Sequence, residues 1–534
     1  MARLLFGVTG IIVLIACANI ANLLMARAAV RAPEMAVRLS IGASRRHLLT
    51  QLLTESCLLG LIGGTAGLVV AHWTLGAIGA LLPPDDAGVL RLALDPSVVA
   101  FAMALSLLTG VAFGIVPALH STRAELISTL KDQAGQPAGA RTTARLRNSL
   151  VTAQFALSLT LLVAAGLFIQ SLNNVSRVDL GIATEDVATF RLSPVRNGYE
   201  AEQAQGLFAR VEAELAAQPG VTGVSAASVA VFAGNSWGNS VMVEGFEAGP
   251  DTDRNSRLNS IGTGYFRVLG IPLLAGRTFT ASDGGETPKV AIVNQAFARK
   301  FGLGRDAVGR RLGRGDLDVE LDVEIVGLVR NARYNDVKLS EPPLFYVPYR
   351  QESRVGSLTF YARSAVPPER LLRTIPTLVA RLDPNLPVED LKTLPQQVRE
   401  NTSLDHMIST LSAGFALLAT LLAAVGLYGV LAYAVAQRTR EIGLRMTLGA
   451  DAARVRNMVL GQVGRMVLVG GAIGLVAALA LGHFAQSLLY EIEGPQPAVM
   501  LAAVAVLSAV AFGAGYLPAR RASRVNPMVA LRYE

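Results

Sequence analysis

Two short segments of the chain place an acid and a base at helical spacing. Glu34 and Arg38 stand four residues apart and are followed by Gly42 and Ala43; Glu441 and Arg445 repeat the spacing and are followed by Gly449 and Ala450. Residues i and i+4 share one face of a helix, so each pair can form an ion pair there, and the glycine suits a helix end. Such a pair can dock or brace, but it cannot attack a bond. A phosphate cradle would need GxxxxGK[ST]. The run Gly304-Arg305-Asp306-Ala307-Val308-Gly309-Arg310-Arg311 has the glycines without the Lys-Ser/Thr and reads as a turn. His47, His72, His120, His406 and His483 show no metal-ligand spacing. His72 and His483 read as packed or interface histidines, the other reading being the lining of a polar path. Cys17 and Cys57 both lie in apolar stretches and suit neither a disulfide framework nor a CxxC site. No catalytic residue, cofactor site or metal site is expected, and the chain is not expected to be an enzyme.

The elements that must carry these segments are membrane helices. Of 534 residues, 51% are apolar and only 16% charged, against about 25% charged in soluble domains. That balance excludes a disordered chain and argues against an ordinary cytosolic protein. The apolar residues gather in seven stretches, 4–26, 57–82, 97–119, 150–172, 407–435, 459–489 and 497–518. Each is long enough to cross a bilayer, which takes about 20 residues. Arg465 is the one ionised residue inside them; it lies near an end and can snorkel. Gly60, Gly63, Gly64 and Gly67, and then Gly470, Gly471 and Gly474, read as packing residues that let membrane helices approach closely.

Charge sets the orientation. Segments 27–50, 120–147, 436–458 and 519–534 together hold 19 basic and six acidic residues, whereas 82–96 and 490–496 hold one basic residue, Arg91. By the positive-inside rule the first set is cytoplasmic. The N-terminus and residues 173–405 then lie outside and the C-terminus inside, the whole chain being multi-pass among membrane lipids. Residues 173–405 hold 26 basic and 28 acidic residues, so the net charge of +8 is a topology signal and no nucleic-acid partner is expected. A competing reading takes Leu14-Ile15-Ala16-Cys17 as a lipoprotein signal with a lipidated cysteine; it would put 27–50 outside and break the repeat described next.

Glu34–Ala43 lines up with Glu441–Ala450 at an offset of 407, and Gly63–Val69 lines up with Gly470–Val476 at the same offset. Gly114-Ile115-Val116-Pro117-Ala118 matches Gly515-Tyr516-Leu517-Pro518-Ala519 further on. Collinear matches of this kind indicate a duplication. The expected organisation is a three-helix membrane unit in 1–120, a cytoplasmic linker in 121–147, a further membrane helix in 148–172, an outer domain in 173–405, and a second three-helix unit with a cytoplasmic tail in 406–534. The segments around Glu34 and Glu441 read as short amphipathic helices, either lying on the membrane surface or docking a partner. In the outer domain, 226–232, 290–293, 323–329 and 357–362 read as strands, and 200–217, 294–301 and 367–382 as helices. The connections 172–180 and 400–407 are expected to prolong the membrane helices as a stalk.

Arg438-Thr439-Arg440-Glu441-Ile442-Gly443-Leu444-Arg445-Met446-Thr447-Leu448-Gly449-Ala450 resembles the cytoplasmic signature of FtsX-like permeases. Gly264-Tyr265-Phe266-Arg267-Val268-Leu269-Gly270-Ile271-Pro272, Val290-Ala291-Ile292-Val293-Asn294, Val326-Gly327-Leu328-Val329 and Tyr346-Val347-Pro348-Tyr349 resemble a MacB-type periplasmic core domain. The tail from Pro518 to Arg532 is similar to the end of duplicated permeases of acidobacterial type. With the seven transmembrane helices read from hydropathy, the resemblance implies a membrane α-helical protein with an extracytoplasmic α+β core domain. It also implies a permease subunit of an ABC transporter, serving efflux or mechanotransmission, with ATP hydrolysis in a separate cytoplasmic subunit and a periplasmic or outer-membrane partner. Glu34, Arg38, Gly42, Ala43, Glu441, Arg445, Gly449 and Ala450 would then be its ATPase-coupling positions. A full duplicated member would have eight spans and two outer domains, so the chain reads as N-terminally incomplete. The alternative is a non-transporting regulator whose outer domain controls a periplasmic partner.

Overall fold

Hydrocarbon offers no hydrogen-bond partners, so a charge-free run satisfies its own backbone by coiling into a helix. The computed structural model describes residues 2–41, 43–81, 94–122, 138–285, 287–448, 451–485, 489–492 and 494–524. The chain divides into two compact units, Met1–Asn173 with Asp405–Glu534, and Asn174–Leu404. The apolar unit begins with α1 (Ala2–Ser40), α2 (Arg45–Leu81), α3 (Pro96–Thr122) and α4 (Ala138–Ser176).

The polar unit follows as eleven described strands and five helices. Its strands are β1 (Val187–Leu192), β2 (Val221–Ala227), β3 (Trp237–Val243), β4 (Asn255–Ile261), β5 (Leu273–Gly276), β6 (Lys289–Asn294), β7 (Arg311–Arg314), β8 (Val323–Val329), β9 (Leu344–Pro348), β10 (Leu358–Ser364) and β11 (Glu389–Thr393). Its helices are α5 (Ala201–Ala216), α6 (Tyr265–Leu269), α7 (Gln295–Lys300), α8 (Glu369–Leu382) and α9 (Leu394–Asn401). The sheet runs β11-β1-β10-β2-β4-β3-β7-β8-β6-β9, and β9 also pairs parallel with β4, so the last six strands close into a ring. Two cores result. One packs Phe190 and Phe360, stacked at 5.2 Å, with Phe208 of α5 and Ile375 of α8. The other fills the ring with Val241, Ile325 and Phe345, capped by Phe297 of α7.

Eleven described strands form where the sequence reading expects four, and two of the differences have a clear local cause. The strand expected over 226–232 ends at Ala227. Beyond it, the buried Asn259 side chain accepts from Val229 N–H at 3.0 Å and donates to Val229 C=O at 2.9 Å, which replaces ladder bonds and turns the chain away. Strand β4 escapes a hydropathy reading because its buried residues include Ser256, Asn259 and Ser260. The membrane helices reach only part of the way into the connections: α4 stops at Ser176, and α9 ends at Asn401 just before the next helix starts at Ser403.

The apolar unit resumes with α10 (Ser403–Gln437), α11 (Thr439–Thr447), α12 (Ala452–Ala485) and α13 (Pro497–Ala522). Among the described residues five helices are long and apolar enough to cross a membrane, in α2, α4, α10, α12 and α13. Phe6–Asn22 of α1 and Pro96–Ala112 of α3 are shorter apolar helices at the other two expected spans. Val151, Phe155 and Leu159 of α4 form a core with Leu427 and Leu431 of α10, Val463 of α12 and Leu507 of α13. On α1, Ile12 and Ile15 pack with Leu161 of α4 and with Ala419 and Leu422 of α10.

The glycines pack unequally. A Cβ on Gly474 would stand 2.8 Å from the Ala156 carbonyl of α4, and one on Gly470 2.9 Å from the Thr152 carbonyl. Their counterparts at the 407 offset, Gly67 and Gly63, face open space, as does Gly471. Gly64 and Gly60 pack instead against Ser106 of α3. Backbone atoms cannot swing aside, so Gly474→Ala must move a helix, at about 1–3 kcal/mol. Gly67→Ala adds a methyl to empty space on a helix that favours alanine by about 1 kcal/mol. Thermal unfolding of the detergent-solubilised chain should show a lower Tm for Gly474→Ala and no loss for Gly67→Ala; equal losses would contradict the packing described.

Candidate functional site

Both acid–base pairs form. Arg38 Nη2 reaches Glu34 Oε1 at 2.6 Å, and Arg445 Nη2 pairs with Glu441 Oε1 in the same i,i+4 geometry. Each arginine also reaches the following helix. Arg38 donates to Gln51 Oε1 of α2 at 3.3 Å, and Arg445 reaches Met458 Sδ of α12 at 3.3 Å. Gln51 and Met458 are again 407 apart, so one three-residue arrangement is built twice. Sequence reasoning missed this third member, although the offset itself would have found it.

The same offset relates two exposed apolar pairs. Val37 and Ile41 are 56% and 80% exposed, and Leu444 and Leu448 are 52% and 79% exposed. Ile442, one position after Glu441, is buried and anchors α11 on the apolar core. Each segment therefore presents an ion pair and two unburied aliphatic side chains. The backbones differ, which corrects the expectation of two short helices. Glu34 and Arg38 belong to the continuous α1, whereas Glu441 and Arg445 sit on the separate α11. The break falls where Thr439 Oγ1 bonds back to the carbonyls of Val435 and Ala436 at 3.1 and 2.9 Å, a competition with the helix ladder that bends helices. Ala43 is half-buried, its N–H donating to Arg38 C=O at 3.0 Å. Gly42, Gly449 and Ala450 lie outside the described residues.

His72 and His483, which read as packed or interface histidines, are both exposed on their helices. The run Gly234-Asn235-Ser236-Trp237-Gly238 has the GxSxG spacing, which the expectation of no nucleophile overlooks. A nucleophile elbow sits between a strand and a helix, and this run leads from a loop into β3. The polar unit also contains no histidine to act as its base.

The polar unit holds one cavity of ligand size among those described, about 610 Å³, between α5, β2, the Gly262–Gly264 turn and the Thr278–Phe279 loop. Glu212 of α5 lines it. Its Oε2 accepts from Tyr349 OH at 2.9 Å and from Arg350 Nη2 at 3.2 Å. Burial pushes the Glu212 carboxyl above the usual carboxylate range, and the bonds from Tyr349 and Arg350 only partly oppose this. A Cβ on Gly262 would stand 2.7 Å from Glu212 Oε1, so a larger residue there would displace the Glu212 carboxylate.

An apolar unit of long helices interrupted in sequence by a folded polar unit defines a polytopic membrane protein. The FtsX-like permease C-terminal family matches residues 6–126 and 413–527, and the MacB-like periplasmic core domain matches residues 152–392. Together these take in most of the chain, which belongs to the FtsX-like, MacB-type permease family. It is a multi-pass membrane protein with a periplasmic core domain. A "probable export ATP-binding/permease protein" of Pseudomonas fluorescens (strain Pf0-1) is 29% identical over 302 residues, 52% of this chain and 43% of the relative. The macrolide export ATP-binding/permease protein MacB of Syntrophobacter fumaroxidans is 34% identical over 155 residues, 29% of this chain and 22% of its own. The chain thus spans less than half the length of these curated relatives. The periplasmic region of MacB from Actinobacillus actinomycetemcomitans aligns with 45% of this chain and 97% of its own, at 16% identity and a TM-score of 0.28.

Glu212 gives a pH signature for the periplasmic domain. A carboxyl whose folded pKa is raised stabilises the fold at pH below its unfolded value, near 4, and that contribution is lost as pH rises through the folded value. Glu212→Gln stays neutral throughout. Measured by thermal unfolding from pH 4 to pH 8, the stability difference should move in favour of the glutamine variant as pH rises. Movement in the opposite direction would contradict the burial of the carboxyl.

Proposed function

We propose that this chain is the membrane subunit of an ABC-type exporter, driven by an ATPase in a separate subunit that docks on the Glu34–Arg38 and Glu441–Arg445 segments. The observation that carries this reading is the duplicated presentation itself. An ion pair, a contact to the next helix and two exposed aliphatic side chains recur at one offset on two segments. Exposed aliphatic groups rimmed by charge suit a protein contact better than a solvated surface. Two such faces suit a partner that is itself a pair of similar subunits. The names of the relatives, export ATP-binding/permease proteins, support the reaction class.

In this reading the segments are cytoplasmic, the C-terminus is cytoplasmic, and residues 173–405 face the periplasm. The membrane parts divide as 1–120 and 406–534, two copies of one three-helix unit, with 121–147 as a cytoplasmic linker and 148–172 as an added span. One family matching both 6–126 and 413–527 supports the duplication. Gly42-Ala43 and Gly449-Ala450 fall in sequence between each docking segment and the next helix. Closure of the ATPase would press on α11 and the end of α1. α10, which follows the periplasmic domain in the chain, would carry the motion outward to a periplasmic or outer-membrane partner.

An exposed i,i+4 pair contributes only about 0.2–0.5 kcal/mol to a helix. Reversing one of its charges therefore leaves the fold in place and reports on docking. With the ATPase that co-purifies from native membranes, Glu441→Arg or Arg445→Glu should lower permease-stimulated hydrolysis about fivefold or more, the low end of ordinary coupling energies. Unchanged stimulation in both single reversals and in the double would contradict the docking role.

A further inference from the structure

Three polar side chains are buried where α1, α4 and α10 meet. Asn19 Nδ2 of α1 and Gln154 Nε2 of α4 both donate to the Leu422 carbonyl of α10, at 2.8 and 2.7 Å. Ser158 of α4 donates to the Ala419 carbonyl one turn earlier, at 3.1 Å. Asn19 is 5% exposed and Gln154 1%. Amide side chains are expensive within a bilayer and are retained there for hydrogen bonding between helices or for function. The space that admits them belongs to Gly426. A Cβ there would overlap Asn19 Oδ1 and stand 2.7 Å from Gln154 Oε1.

The 407 offset, carried into α1, makes Asn19 the counterpart of Gly426, Ile15 that of Leu422 and Ile12 that of Ala419. These counterparts are the residues in contact: Ile12, Ile15, Ala419 and Leu422 share one cluster, and Asn19 fills the notch at Gly426. Equivalent helices thus meet through equivalent positions, as across the two-fold axis of a dimer. The symmetry is broken at one place. One side presents an amide and the other presents nothing.

We propose that the Asn19–Gly426 pairing is a specificity lock that makes α10 accept α1 of its own chain and refuse α10 of a second copy. Two α10 helices meeting through this face would bring glycine to glycine and leave the Leu422 carbonyl without Asn19. Two α1 helices would bring amide against amide with no notch between them. Only the unlike pair supplies both donor and space, and one polar residue at a helix seam is a known way to fix which helices pair. The inference rests on the two-copy reading of the membrane unit, but it does not depend on any ATPase.

Disulfide trapping in native membranes tests it. The background is Cys17→Ser with Cys57→Ser, co-expressed with two different tags. Ile15→Cys with Leu422→Cys should cross-link within one chain on mild oxidation. Leu422→Cys alone should give only a minor product carrying both tags, well below the within-chain link. Adding Asn19→Gly to Leu422→Cys should raise the two-tag product about threefold, the shift expected for losing one membrane hydrogen bond of average strength. Gly426→Ala gives a second measure, because its tightest clash is with Asn19. It should weaken the within-chain cross-link more when Asn19 is present than in the Asn19→Gly background, where only the contact with Gln154 remains. Leu422→Cys alone linking two tags as readily as Ile15→Cys/Leu422→Cys links one chain would overturn the proposal. So would additive effects of Asn19→Gly and Gly426→Ala. The readout is chain pairing, so a failed transport reading with the expected cross-links would leave the lock standing.

Discussion

Everything in the apolar unit follows from one constraint: inside a bilayer there is no water to complete a hydrogen bond. Charge is removed from the spans, so the few polar groups left there must find partners on neighbouring helices. Asn19, Gln154 and Ser158 all do so on carbonyls of α10. With little hydrophobic force between helices in lipid, close approach comes from small residues. Gly426, Gly470 and Gly474 are places where an added methyl group would force a neighbouring side chain or helix to move. The charges excluded from the spans collect at their ends, and there the Glu34–Arg38 and Glu441–Arg445 pairs stand in solvent with aliphatic side chains beside them.

The two membrane units share a pattern but not an environment. Gly470 and Gly474 bury against α4, while Gly63 and Gly67 meet open space. The second unit has an added span packed on it, and the first has no described equivalent. The twin segments diverge in the same way, one being the end of a 39-residue helix and the other a separate helix of nine residues. What survives both differences is the geometry of the pair and its third contact, Gln51 or Met458. Conservation of that small arrangement across unequal scaffolds is the strongest internal argument that it has a task.

Much of this was legible in the sequence because the physical signals were strong. Long charge-free runs leave no alternative to helices, and i,i+4 spacing on a helix leaves little freedom in how Glu441 meets Arg445. The repeat offset located the site and contained more than was first read from it, since Gln51, Met458, Val37, Ile41 and the Asn19–Gly426 contact all obey it. The periplasmic domain was read less well. Strand β4 looks polar because Ser256, Asn259 and Ser260 are buried through hydrogen bonds and not through hydropathy. The expected strand to Phe232 stopped at Ala227 because a single asparagine offered its backbone a better partner. The Glu212 cavity is assembled from α5, β2 and two distant turns, and no local pattern announces it.

The central claim is that both twin segments dock a nucleotide-hydrolysing partner. The most direct measurement is a mild-detergent pull-down of the tagged full chain from its native membrane, assayed for co-purifying ATP hydrolysis. The chain should bring down an ATPase, and changing Glu34 and Glu441 together to lysine should lose that partner while the chain remains folded and inserted. A folded, inserted chain that brings down no ATPase, or one that retains it undiminished when both glutamates are reversed, would contradict the account.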